Sequence, residues 1–159
     1  MGRIYTTIFR AVAVTAAQDF FELNPAANKP IRIVRLKLSQ YSDAGDAADE
    51  LLSYSIFRVP ATATSGSGGA AAATPGVVNA TDAAAGYSAE INNTTVATTS
   101  GTLVELLADT FNVRSGLDMP FEPEGRFQAI NATLLVVRLN VAPADSLTMN
   151  GCVWVEEEG

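Results

Sequence analysis

The chain has 159 residues, with ten Lys or Arg against seventeen Asp or Glu, no histidine, one cysteine, a net charge of -7 and a pI near 4.4. That length buries a core without disulfides or a structural metal, so one domain spanning residues 1–159 is expected. The acidic balance excludes a broad phosphate-binding surface and with it a nucleic-acid partner, and the lack of histidine excludes a Ser-His or Cys-His nucleophile.

The first segment, "GRIYTTIFRAVAVTAA", alternates like a strand, with Ile4, Thr6 and Ile8 on one side and Tyr5, Thr7 and Phe9 on the other. "QDFFELN" reads as a second short strand that stops at Asn24-Pro25, where proline removes a ladder donor. "KPIRIVRLKLSQYS" is the clearest period-2 run and sets Arg32, Val34, Leu36 and Leu38 against Ile31, Ile33, Arg35 and Lys37. Its basic residues are expected to meet solvent or a partner. An acidic, Ala-rich turn then leads into a strand in which Leu52, Tyr54, Ile56 and Arg58 alternate with Ser53, Ser55 and Phe57, closed by Pro60.

Residues 61–101 contain no Lys, Arg, His or Cys and are dominated by Ala, Gly, Ser and Thr. With no second domain to connect, they read as a long Ala/Gly/Thr-rich insertion loop or arm, ordered in part by Val78, Tyr87, Ile91 and Val96. The insertion is expected to touch a neighbouring subunit more than its own core, so that deleting it leaves the domain folded. Strand signals resume at "GTLVELLADTFNVRSG"; "DMPFEPEGRF" reads as a loop, and two long strands flank the "APAD" turn in "NATLLVVRLNVAPADSLTMNGCVWVEEE". About eight strands separated by turns predict an all-β fold of the sandwich or barrel pattern, for which an antiparallel, jelly-roll-like β-sandwich is the expected form.

Residues able to do chemistry are few. Lys29 and Lys37 are the only lysines for a Ser-Lys mechanism, and both sit at an alternating strand where a solvated role is expected. Glu122 with Glu124, and Asp19 with Glu22 around Phe20-Phe21, are the carboxylate pairs available to the alternative of another class, a carbohydrate-binding or glycan-cleaving sandwich. Asp43, Asp46, Asp49 and Glu50 could offer oxygen ligands to calcium, but their spacing is not that of an EF-hand and they read as a solvated loop. Cys152 lies beside Val153 and Trp154 and reads as a buried small hydrophobe, and "SGSGG" lacks the G-K-[ST] of a phosphate loop. No catalytic residue, metal or cofactor is therefore expected.

No run approaches the roughly 20 apolar residues of a membrane-spanning helix, and no membrane partner is expected. "MGRIYT" fits a loose myristoylation pattern, and Asn79, Asn92, Asn93 and Asn131 head N-x-S/T sequons; both read as chance matches in a soluble, unsecreted chain.

Six phrases occur in order along the chain: "AVTAAQDFFEL", "DAGDAADELL", "SGSGG" before "TP", "DAAAGYSAEINNTT", "FNVRSG" and "APADSLTMNGCVWVEE". Together they resemble small proteins encoded among the virion genes of tailed bacteriophages, over nearly the whole length. The resemblance carries no catalytic motif. It implies a capsid decoration or cement protein, made in the bacterial cytoplasm and placed on the capsid surface, with the major capsid protein and its own copies, as a trimer, for partners. A tail tip, baseplate or fibre-attachment protein is the alternative within that setting. The expected contacts are residues 61–101 and the Arg32, Arg35 and Lys37 face.

Overall fold

The computed structural model describes residues 2–41, 49–60 and 62–159. In chain order the strands are β1 (Arg3–Val14), β2 (Gln18–Asn24), β3 (Ile31–Gln40), β4 (Leu51–Val59), β5 (Ala63–Thr64), β6 (Ala70–Ala73), β7 (Gly76–Val77), β8 (Ser88–Asn93), β9 (Thr98–Thr99), β10 (Val104–Asn112), β11 (Leu117–Pro120), β12 (Gln128–Ala129), β13 (Leu134–Leu139) and β14 (Leu147–Glu157). A single 3-10 turn covers Pro123–Gly125.

The protein is an all-β antiparallel sandwich. One sheet has the order β11-β3-β14-β1-β7, with β12 also on β3; the other has the order β10-β4-β13-β2-β8-β6, and β5 pairs with β9 in a two-strand ribbon. Strands β1 to β4 alternate between the sheets, so each of their connections crosses from one layer to the other. Between the layers Phe9 stacks on Phe20 and packs against Phe21, with ring centroids 5.7 and 5.3 Å apart, amid Tyr5, Ile33, Leu36, Tyr54, Ile56, Leu135, Met149 and Val153.

Three β-bulges decide which side chains reach that core. In β1 the register steps between Phe9 and Val12, where Ala11 takes φ 51°, and the inward set changes from Tyr5, Thr7 and Phe9 to Val12 and Val14. In β3, Trp154 faces Arg35 while Val155 faces Ile33, so Val34 is the extra residue. Ile31 and Ile33 before the bulge, and Leu36 and Leu38 after it, are therefore all buried. Strict alternation, which places Arg32 with Leu36 and Leu38, fails here: the bulge sets Arg32, Arg35 and Lys37 together on the outer face. In β2, Phe20 is the extra residue, which sends Phe20, Phe21 and Leu23 into the core and Asp19 and Glu22 to the opposite face.

Residues 62–101 do not stand apart from their own sandwich, and the expectation of an arm over 61–101 is corrected on these described residues. β8 pairs with β2, β6 pairs with β8, and β7 pairs with β1, so the segment extends both sheets along the same side. Its remainder crosses the outer face of the second sheet, where Ala97 joins Val59, Leu134 and Val136 in a small apolar cluster, with Phe57, Ala63 and Leu103 packed against it. Short strands of Ala, Thr and Gly carry little alternation, which hides them in the sequence. The "DMPF" loop is likewise a strand, β11, with Pro120 at its end facing Arg35 on an edge that tolerates a missing donor.

Gly151 in β14 lies directly across from Phe9, and a Cβ there would fall 2.2 Å from the Phe9 ring. Gly151→Ala should lower unfolding free energy by about 1–3 kcal/mol. Gly125→Ala, where nothing lies within 4 Å of the added carbon, should change it by less than about 0.5 kcal/mol. Urea denaturation of the two variants beside wild type measures both.

Candidate functional site

The two outer faces of the sandwich differ. On the second sheet Ala63, Ala97 and Leu103 pack over Phe57, Val59, Leu134 and Val136, whereas the face of β3, β14 and β1 is open. Cross-strand register lines up Thr6, Trp154 and Arg35 in one row and Ile8, Cys152, Lys37 and Asp118 in the next. The Arg35 guanidinium lies 5.3 Å from the centroid of the Trp154 ring and donates to both Asp118 oxygens at 2.7 and 2.6 Å. Lys37 approaches the same carboxylate at 3.5 Å, and Arg32 pairs with Glu158. Hydrogen bonding from Arg35, backed by Lys37, holds the Asp118 carboxyl below its usual range. Ile8 is 54% exposed; Val78, at 55%, lies near the start of β1, where its amide donates to the Ile4 carbonyl.

Arg32, Arg35 and Lys37 thus occupy one face, and Val78 lies at its edge. The other expected contacts go elsewhere. Tyr87 is buried: its ring packs edge-on against Tyr5 at 6.0 Å and its hydroxyl pairs with Thr7 Oγ1 at 3.1 Å, so it anchors its own core and not a neighbour. Ile91 is half-buried against the same core, and Val96 is half-buried beside the small cluster that Ala97 joins.

Three buried carboxylates clamp residues 61–101 down. Asp19 accepts from Arg138 Nε and Nη2 and, at 2.6 Å, from the Ala97 amide, while Arg138 Nη2 also donates to the Ala97 carbonyl at 2.9 Å. Glu22 accepts from the Gly66 amide, Ser65 Oγ and Asn93 Nδ2. Glu157 accepts from the Gly86 and Tyr87 amides at 2.8 Å and from Lys29 Nζ at 3.3 Å. At Gly66 a Cβ would stand 2.2 Å from the Thr95 carbonyl oxygen and 2.4 Å from Glu22 Oε1, and at Gly86 it would stand 2.8 Å from Lys29 Cδ and 3.1 Å from Glu157 Oε2, so both positions favour glycine. Burial outweighs Arg138 and the amide at Asp19, and pushes its carboxyl up to about 6.

The remaining candidates are dispersed. Glu122 and Glu124 are exposed on the 3-10 turn, and neighbouring Phe121 and Phe127 pack edge-on at 5.2 Å against the core. Asp43 and Asp46 lie outside the described residues, while Asp49 pairs with Arg114 and Glu50 accepts from the Ala144 amide. Cys152 is corrected: Gly151, Val153 and Val155 take the inward positions, which leaves its half-buried thiol on the open face, pushed up to about 11 by burial. Trp154, Ile8 and Arg10 join that face without having been singled out, although alternation in "CVWVE" already separates Cys152 and Trp154 from Val153 and Val155. Among the described residues no helix is long and apolar enough to cross a membrane.

Comparison with protein-family models, curated proteins and solved structures finds no match.

Arg138→Met leaves Asp19 buried without its cation and should cost about 3–5 kcal/mol in chemical denaturation. Between pH 3.8 and 6 the folded state holds a proton on Asp19 that the unfolded state has released, so this group's stabilisation is complete below 3.8 and lost as pH rises through 6. Measured against Asp19→Asn, wild type should gain up to about 1.4 kcal/mol per pH unit as pH falls through that window. Deleting 62–101 should abolish the cooperative unfolding transition, because Asp19, Glu22 and Glu157 lose the amide donors of Gly66, Gly86, Tyr87 and Ala97.

Proposed function

We propose that this is a non-enzymatic structural protein of a tailed-phage virion, a decoration protein that binds the outer face of the major capsid shell as a symmetric oligomer, a trimer in the simplest case. The observation that carries the reading is the open face of β1, β14 and β3, where Arg32, Arg35 and Lys37 line up beside Trp154 and Ile8 while the opposite face of the sandwich is covered. Trp and Arg are the residues that dominate protein–protein contact energies, and a rigid sheet presents them at little entropic cost.

Strand order supports the same reading. Taken without β12 and the strands of residues 62–101, the sheets run β11-β3-β14-β1 and β10-β4-β13-β2, the interleaving expected of two Greek keys wound into a jelly roll. Such a fold offers broad flat faces to a shell. Copies joined in one oligomer engage neighbouring sites together, which raises binding by about 10²–10⁴ over a single contact where geometry allows.

Purified protein added to capsids that lack it should bind saturably, at hundreds of copies per particle. Trp154→Ala and Arg35→Glu should each weaken that binding by about thirtyfold without unfolding the protein. Absence of binding refutes the reading, and a count of a few or a few tens per particle moves the protein to the tail.

A further inference from the structure

The open face carries a groove of about 280 Å³ lined by Ile8, Arg10, Lys37, Ser39, Asn150 and Cys152. It exists because the β1 bulge at Arg10-Ala11 lifts the strand away from β14, with Ala11 in the left-handed region and its amide bonded to Asn150 Oδ1 at 2.8 Å. That bond fixes Asn150 with its acceptor turned toward Ala11, which leaves its Nδ2 as a donor.

Cations in this chain are outnumbered by acids and are nearly all engaged. Arg3, Lys29, Arg32, Arg35, Lys37, Arg114, Arg126 and Arg138 each pair with a carboxylate, and Arg58 donates to the Gln128 carbonyl. Among the described residues Arg10 is the cation with no such partner, and it is exposed at the groove. Lys37 beside it has half a partner, since Asp118 is held first by Arg35 at 2.6 Å and only then by Lys37 at 3.5 Å. The Cys152 thiol between Ile8 and Lys37 stays neutral at physiological pH and does not compete as an anion. Two cations, the Ser39 hydroxyl and the Asn150 amide therefore surround a space without an anion of the chain's own.

We infer that this groove binds a carboxylate carried on an extended acidic segment of the partner protein, with an apolar residue next to the carboxylate covering Ile8. A free anion would satisfy Arg10 and Lys37 but leave Ile8, 54% exposed, still in water. An extended segment places alternate side chains on one side, so that an acid and the apolar residue two positions on meet Arg10 and Ile8 together. This inference rests on the reading of the open face as the partner contact and deepens it.

Trp154, the sole tryptophan, stands one cross-strand row from the groove and reports on it by fluorescence. An acetylated, amidated peptide of sequence Ala-Glu-Ala-Val-Ala-Glu-Ala should shift the emission saturably, more weakly as salt rises, and Arg10→Glu should weaken its binding by about tenfold or more while Arg10→Lys retains it. Circular dichroism of both variants confirms the fold. No response to the peptide, a response equal in Arg10→Glu and wild type, or an equal response to acetate at matched carboxylate concentration each overturns the inference. Capsid binding separates the two levels: wild type and Arg10→Glu binding capsids equally removes the groove and keeps the virion reading, whereas peptide binding without capsid binding does the reverse.

Discussion

A carboxylate taken out of water must be given donors, and in this protein three of them draw those donors from one segment. Asp19, Glu22 and Glu157 are all at most 2% exposed, and each accepts from backbone amides between Gly66 and Ala97. Dependence runs in both directions. The segment has too few large apolar side chains to hold itself in place, and the sandwich cannot keep these charges inside without it. Glycine matters where amide and carboxylate meet, because a side chain would crowd the Thr95 carbonyl and Glu22 at Gly66, and Lys29 and Glu157 at Gly86.

That clamp gives the molecule two unlike surfaces. One sheet is finished on its outer side by the segment and its small cluster around Val59, Val136 and Ala97. The other keeps a bare face on which Arg35 lies over Trp154 and Ile8 stands in solvent. The edges on the β1 and β2 side are closed as well, by β7 and by β8 with β6. On the other side β10 and β11 remain as edges, and beside them lies the bare face of β1, β14 and β3, whose Trp154, Ile8 and basic residues direct the functional reading toward flat contact with another protein.

Much of this was legible in the sequence, and the failures have physical causes. Alternation in "IYTTIF" and "SYSI" marks half-buried strands, whose sheets impose a period of two, and the short apolar run "LLVV" marks a strand buried on both faces, so the all-β class follows from pattern. Bulges break that period: Val34 and Phe20 each add one residue, and no local signal distinguishes an added residue from an ordinary one. The basic face was found, but Arg32 joins it only through the bulge. The site's other half, Trp154 with Ile8, comes from strands more than a hundred residues apart, which a linear reading does not bring together. Acids inside strands, Asp19 and Glu22 in "QDFFELN" and Glu157 in "VWVEEE", were the available clue that something rich in amides must cover them.

The register of β1 against β14 pairs Arg3 with Glu157, nearly the full span of the sequence. Emerging from a ribosome, β1 can find neither its central partner nor the carboxylate clip at Gly86 until β14 has been made. The core strand therefore waits through synthesis, and closure of so long a loop is entropically slow. Closure of the sandwich therefore follows the synthesis of β14, and the Ala- and Gly-rich stretch, poor in large apolar groups, gives the waiting chain few points at which to associate prematurely.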